Sequence, residues 1–506
     1  MNDTANSILP GVLAGPCPVW PPDLFAVAAT LLKKGGGYLS CVHIWPPSSS
    51  PFAADYANHI GAAGEEWRRS STPPSTVEQL WNTVRSKSHT PIDELQEDME
   101  LCAALVQLVA VADEASAGLG LARSGDAFIS RGRELLFEMG RKVTSACHLV
   151  HHSRAVVLPK MHTPQVGMTV RSLSHHLALW DSAEVLPEWH LAPGQKIKDR
   201  LNLLLLPWPL TLTAAAFRET KPPLSNMPRE YAFFGYDPVW DRTVALARIR
   251  ELIASALKES LEVDAIVLPE MSLPDGECAR LAEQLGKIVI GGEHAIGTEQ
   301  GPSTNTAVVA IPQGSTVTMQ RQHKHHRWQL SRSQINWYGL GLDPAKFYWE
   351  YMELKPRRLH FWCLNSWLAF SVLICEDLAR QEPVAELVRA VGPNLVVALL
   401  MDGSQKSDRW SARYATVLAD DPGCSVLTMS SVGMTTLGKG AATAEARQFA
   451  LWKDQKTGLS PIKLELGAQA VLVRLKQETA TEWTADGRDD GGVSGTLVLE
   501  GMHQLK

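Results

Sequence analysis

Hydrophobic positions along this chain follow two different rhythms, and the change between them divides it. Between Pro91 and Ala115, Leu95, Met99, Cys102, Val106 and Val109 recur at steps of three and four, a spacing that lines one face of a helix. Further helical stretches are expected from about Asp126 to His151 and from Gly167 to Trp180. Residues 1 to about 195 therefore read as a mainly helical amino-terminal domain, for which a bundle is the natural packing solution. Trp20-Pro21-Pro22, Trp45-Pro46-Pro47 and Pro73-Pro74 punctuate it into short pieces.

Pro193-Gly194 marks a boundary, and from Lys196 the rhythm becomes alternation of strands and helices. Apolar runs predict strands at Leu203 to Leu206, Ala265 to Leu268, Lys287 to Ile290, Thr306 to Ile311, Thr316 to Met319, Leu368 to Ile374, Leu395 to Leu400 and Ser425 to Met429. Helices are predicted between them, with Leu246, Ile249, Ile253 and Leu257 on one side of the first, then near Gly276 to Leu285 and Val384 to Val391. This is the pattern of an α/β domain over 196–506. The polar, Gly- and Asp-rich stretch Glu478 to Gly492 is expected to be a mobile loop before a last apolar run at Thr496 to Leu499.

A length of 506 residues exceeds what one hydrophobic core usually supports, in keeping with two domains. With 45% hydrophobic and 20% charged residues and a net charge of -6, nothing draws the chain towards nucleic acid or anionic membrane, and no direct nucleic-acid site is evident. The longest apolar stretch, Leu201 to Phe217, is broken by Pro207 and Pro209 and is too short for a membrane span. The cysteines at 17, 41, 102, 147, 278, 363, 375 and 424 form no C-x-x-C pair, which suits free thiols in a reducing compartment. With no signal-peptide pattern over Met1 to Pro10, the expected location is cytoplasmic.

Three polar residues close apolar strands, where a rigid element can hold a side chain at a sheet edge. Glu270 follows Ala265 to Pro269, and partial burial there would raise its pKa towards that of a general base; a capping or surface glutamate is the plainer alternative. Cys375 follows Phe370 to Ile374 and precedes Glu376 and Asp377, at a strand-to-helix turn where backbone N–H groups favour a thiolate or an oxyanion; core filler is the plainer alternative. Lys324, the only lysine between Lys287 and Lys346, sits among His323, His325, His326 and Arg327. Such a run is usually a solvated face or a phosphate patch, and it lacks the carboxylate or cysteine spacing of a metal site.

In the order Glu270, Lys324, Cys375 the chain resembles the nitrilase, or carbon-nitrogen hydrolase, superfamily. Leu268-Pro269-Glu270, Gly291-Gly292-Glu293, Asn305-Thr306-Ala307, Ile374-Cys375-Glu376-Asp377, Arg409-Trp410 with Arg413, and Ser431-Val432-Gly433 carry the resemblance over roughly 200 to 475. It implies a four-layer α-β-β-α sandwich and a thiol nucleophile, Cys375, attacking an amide carbon while Glu270 takes its proton. It also implies an oxyanion held by Lys324 and the backbone N–H of Glu376, and hydrolysis through a thioester with no metal or organic cofactor. Acid residues after the cysteine resemble the amidase and glutaminase-type branches, so the implied substrate is a small-molecule amide; copies of such sandwiches commonly pair, implying a homo-oligomer. Where the family often has a second glutamate after the lysine, this chain offers Gln334 or the distant Glu350 for substrate positioning.

A further resemblance joins Leu158-Pro159-Lys160, Thr163-Pro164-Gln165, Arg171 to Leu177, Cys375 to Arg380 and Ser411 to Gly433 to the nitrilase-like part of bacterial proteins that accompany a reverse transcriptase, a class linked to phage defence. It implies the alternative of a nitrilase-fold module with an assembly or signalling role. Asp420-Asp421 lacks the aromatic context of a polymerase motif, and Cys147, His148, His151 and His152 lack a second ligand group for zinc.

Overall fold

A computed structural model describes residues 3–42, 55–121, 142–165, 167–192, 197–220, 228–297, 301–438 and 444–506. Alternation within the strands decides the layering. Successive side chains of a strand point to opposite faces. Leu203, Leu205, Val267, Ile290, Val309 and Val473 accordingly join one core, while Leu204, Ile266, Val289, Val308 and Leu472 join another. The second core is roofed by the helices Arg242–Lys258 and Glu277–Leu285 through Ile249, Leu252, Ala256, Cys278 and Leu281. The first is closed by a second sheet: Thr304–Gln313 touches Ala369–Ile374, and Thr316–His323 touches Arg358–Cys363. Helices Glu386–Val391 and Trp410–Asp420 complete that side, with Leu387, Val391, Ala415 and Leu418 buried. The result is a four-layer α-β-β-α sandwich.

One sheet runs in the order Thr316–His323, Thr304–Gln313, Ile288–Ala295, Ala265–Val267, Arg200–Leu205, Ala470–Ala480 and Ser494–Leu505, with Leu273–Pro274 beside Ile288–Ala295. The other runs Lys142–Val143, Leu186–Leu191, Arg358–Cys363, Ala369–Ile374, Leu395–Leu399, Ser425–Met429, Gln448–Asp454 and Gly458–Lys463. Their middles are parallel, which explains why these strands read as unbroken apolar runs: helices or the partner sheet cover both faces. The strand Leu186–Leu191 precedes the break in sequence texture at Pro193-Gly194 yet pairs in parallel with Arg358–Cys363, so the second sheet draws strands from both sides of that break.

The amino-terminal region is helical. Met99–Ala115 is surrounded by Pro21–Gly35, Tyr56–Ser70 and Ser75–Ser86. It is buried on most sides, as its all-round apolar sequence requires. Asp98 caps it by accepting from the Leu101 N–H at 3.0 Å.

Four expectations are corrected. The helix expected from Asp126 lies largely outside the described residues, and its described end holds the strand Lys142–Val143 and irregular turns. The one expected from Gly167 to Trp180 is a short turn, Val170–Leu173, followed by the strand Leu177–Trp180 against Val156–Pro159. The buried Asp113 carboxylate accepts from the backbone N–H groups of His175, His176 and Leu177 at 2.7 to 2.9 Å and so outweighs the helical spacing. In Arg242–Lys258 the buried stripe is Ala245, Ile249, Leu252 and Ala256, and Leu257 is exposed. Finally, the polar stretch before the last strand is anchored. Arg488 is 2% exposed and pairs with Asp486, Asp113 and Glu114, which ties this loop to the central amino-terminal helix.

Candidate active site

The two residues expected to act as base and nucleophile leave their strands through an unusual backbone. Cys375 directly follows Ala369–Ile374 and takes a left-handed conformation, with φ at 46°; Met271, beside Glu270, does the same at 52°. Side chains rarely adopt this region, and residues held there cluster at functional sites. Cys375 then opens a turn, Cys375–Ala379. Gly292 is what allows Glu270 its position: a Cβ there would stand 2.4 Å from the Met271 nitrogen and 2.5 Å from the Glu270 Cα. The Gly292 N–H also donates to the Pro269 carbonyl at 3.1 Å.

Lys324 emerges just beyond Thr316–His323, and its ammonium is 1% exposed. It donates to Glu270 Oε1 at 2.9 Å and to Glu350 Oε2 at 2.6 Å. Asn305 repeats the bridge from the other side, its Nδ2 donating to Glu270 Oε1 at 2.8 Å and Glu350 Oε1 at 2.7 Å. The Trp328 N–H completes the Glu350 carboxylate at 3.2 Å. Glu270 Oε2, buried, has no hydrogen-bond partner among the described residues. It is the one carboxylate oxygen of this pair left to accept a proton from elsewhere.

The electrostatics follow from burial. Loss of hydration raises the Glu270 carboxyl above its usual range; Lys324 opposes that rise and Glu350 adds to it. Burial works against the Lys324 charge, but Glu270 and Glu350 together push it well above its usual value, so it stays an ammonium. Burial raises the Cys375 thiol well above its usual value, with the Glu270 charge adding and the Lys324 charge opposing. The sulfur thus lies within the field of both groups and rests as a thiol, whose proton has to leave during any attack.

Asp377 joins the lysine loop to the cysteine turn. Fully buried, it accepts from the His325 N–H at 3.2 and 3.1 Å and is hydrogen-bonded to the His326 ring at 2.9 Å. The histidine run around Lys324 is therefore structural: His325 Nε2 meets the Arg358 carbonyl at 2.9 Å, and no metal-ligating set includes these rings among the described residues. Glu376 is half-exposed and pairs with Arg380 at 3.4 Å. Gln334 caps the helix Arg332–Tyr338, its carbonyl accepting from the Ser331 N–H at 2.9 Å. It also lines a cavity of about 640 Å³ with Trp337, Tyr338, Asp402, Lys406 and Arg409, and the Asp402 charge reaches Cys375.

Of the residues read from the sequence, the fold bonds Lys324 to Glu270 and sets Cys375 within reach of both charges, while Gln334 lies in a helix cap and Glu376 pairs with Arg380. The second glutamate that contacts the lysine, beside Glu270, is Glu350, 26 residues away. A signal for it existed, since Glu350 closes the apolar strand Phe347–Glu350 as Glu270 closes its own. Asp421, from the acidic pair, is held by Arg171 at 2.9 Å and by Arg389, a structural ion pair.

Fold and site together define an α-β-β-α sandwich with a buried carboxylate–ammonium–carboxylate bridge beside a strained cysteine. No protein-family model and no curated protein matches the chain. Among solved structures it is similar to Saccharomyces cerevisiae Nit3, a member of branch 10 of the nitrilase superfamily, at 13% identity over 54% of this chain and 89% of that one, with a TM-score of 0.33. It is also similar to the C. elegans NitFhit protein, at 11% identity over 51% of this chain and 56% of that one, with a TM-score of 0.31.

Proposed function

We propose that this protein is a cysteine-dependent carbon-nitrogen hydrolase that cleaves a small-molecule amide. The observation that carries the reading is the Lys324 ammonium bonded at once to Glu270 and Glu350 beside a buried Cys375 thiol. In this reading Glu270 Oε2 takes the thiol proton as the sulfur attacks the amide carbon, and returns it to the departing amine. The Lys324 ammonium and the Glu376 backbone N–H stabilise the oxyanion. Water activated by Glu270 then releases the acyl group as an acid. The raised Glu270 carboxyl suits both roles, because a carboxylate held above its usual range by burial is a stronger base than an ordinary glutamate.

Incubating the purified chain with a panel of amides and nitriles, beside Cys375→Ala, tests this. Ammonia or amine release that the variant loses, with an acyl adduct on Cys375 seen by mass spectrometry, is the expected result. No turnover and no adduct across the panel would leave the sandwich as an assembly or signalling module instead.

A further inference from the structure

We propose that Glu188, His190 and His360 form a binding site for a divalent transition-metal ion of the zinc class. They are the one grouping among the described residues whose His, Cys, Asp or Glu ligand atoms converge in this way, and all three are buried. Glu188 and His190 lie on the strand Leu186–Leu191, and His360 lies opposite Glu188 on Arg358–Cys363. The side chains therefore share one face of two bonded strands, a rigid platform.

The spacing is that of a coordination sphere. His190 Nε2 and His360 Nδ1 are 2.8 Å apart, His360 Nδ1 and Glu188 Oε2 3.3 Å, and His190 Nε2 and Glu188 Oε2 3.8 Å. Tetrahedral ligands at about 2.0–2.1 Å from zinc stand roughly 3.3 Å from one another, which these three separations bracket. Two imidazoles and one carboxylate are donors that suit zinc and its neighbours.

The surroundings hold the ligands in place. Arg358 pairs with Glu188 Oε1, leaving Oε2 turned to the rings. Trp362 stacks on His190 at 4.6 Å between ring centroids. The His360 N–H donates to Gln322 Oε1 at 3.1 Å, and its carbonyl accepts from Ser371 Oγ at 2.8 Å. Partners of this kind fix ligand orientation. None of the three ligands touches Glu270, Lys324 or Cys375, and a buried ion here would clamp the strand Leu186–Leu191 onto the sheet.

The test is a zinc titration of the full-length chain after dialysis against a chelator, followed by heat and by thermal unfolding. One equivalent of Zn²⁺ is expected, with a raised unfolding midpoint; His190→Gln and His360→Gln each lose at least about tenfold in affinity, while Cys375→Ala binds as before. X-ray absorption on the zinc-loaded wild type is expected to show nitrogen and oxygen neighbours without sulfur, and it decides the matter if the histidine variants fail to fold. No stoichiometric uptake, sulfur in the first shell, or affinity unchanged in both folded histidine variants would overturn the proposal; the first would leave a network that holds only a proton.

Discussion

Lys324 and Glu350 meet at 2.6 Å, closer than Lys324 and Glu270 at 2.9 Å, and both contacts are buried. Two carboxylates thus share one ammonium. Their joint charge keeps the lysine protonated in a place where burial alone would neutralise it.

Replacing Glu350 by Gln keeps the shape and removes one charge. We expect kcat to fall by about 10²-fold, within the range found for losing one preorganised electrostatic partner. Cys375 alkylation and a thermal melt, run alongside, check that the fold survives. Unchanged kcat would remove Glu350 from the site.

Because the Glu270 carboxyl is raised and must be ionised to accept the thiol proton, kcat/KM should fall on the acid side along a limb lying above the usual glutamate value of 4.5. A pH–rate profile of the wild type reads this directly. An acid limb at or below that value would assign the base to another group.

Gly292→Ala should push Glu270 out of line, since the added Cβ meets the backbone of 269–271 at 2.4 to 2.6 Å. Destabilisation of about 1–3 kcal/mol is expected, together with a loss of activity. Gly61→Ala, in the helix Tyr56–Ser70 with nothing within 4 Å of its Cβ, should instead stabilise by about 0.5–1 kcal/mol. Urea unfolding of both variants makes the comparison.

His175 carries a pH prediction for stability. Burial, then the Arg488 charge, lower its pKa from 6.5 to about 4. Between these values the unfolded chain binds more protons than the folded one, so the histidine's contribution is present above pH 6.5 and is lost as pH falls towards 4. The full linkage amounts to about 3 kcal/mol. Wild type and His175→Gln, unfolded in denaturant across this window, should differ in slope, with the variant flatter; parallel curves would rule the linkage out.

Arg488→Met should free the loop around Asp486 and leave Asp113, Asp486 and Glu114 without their buried cation. A cost of about 3–5 kcal/mol is expected, as for breaking a buried pair by removing one partner. Thermal unfolding and proteolysis between 481 and 493 measure it.

The sequence by itself marked the apolar strands and singled out Glu270, Lys324 and Cys375 as candidates. Strands buried on both faces read as apolar runs, and a polar residue at the end of such a run stands out, as Glu270 and Cys375 do. What local pattern could not decide was convergence. Glu350 reaches Lys324 from the strand Phe347–Glu350 of a separate four-stranded sheet and Asn305 bridges Glu270 and Glu350 from Thr304–Gln313, whereas Gln334, nearer in sequence, is drawn into a helix cap. The left-handed turn of Cys375 and the meeting of His190 with His360 across 170 residues have the same origin. Periodicity reports which face of an element is apolar, whereas which elements become neighbours is set by how those faces pack together.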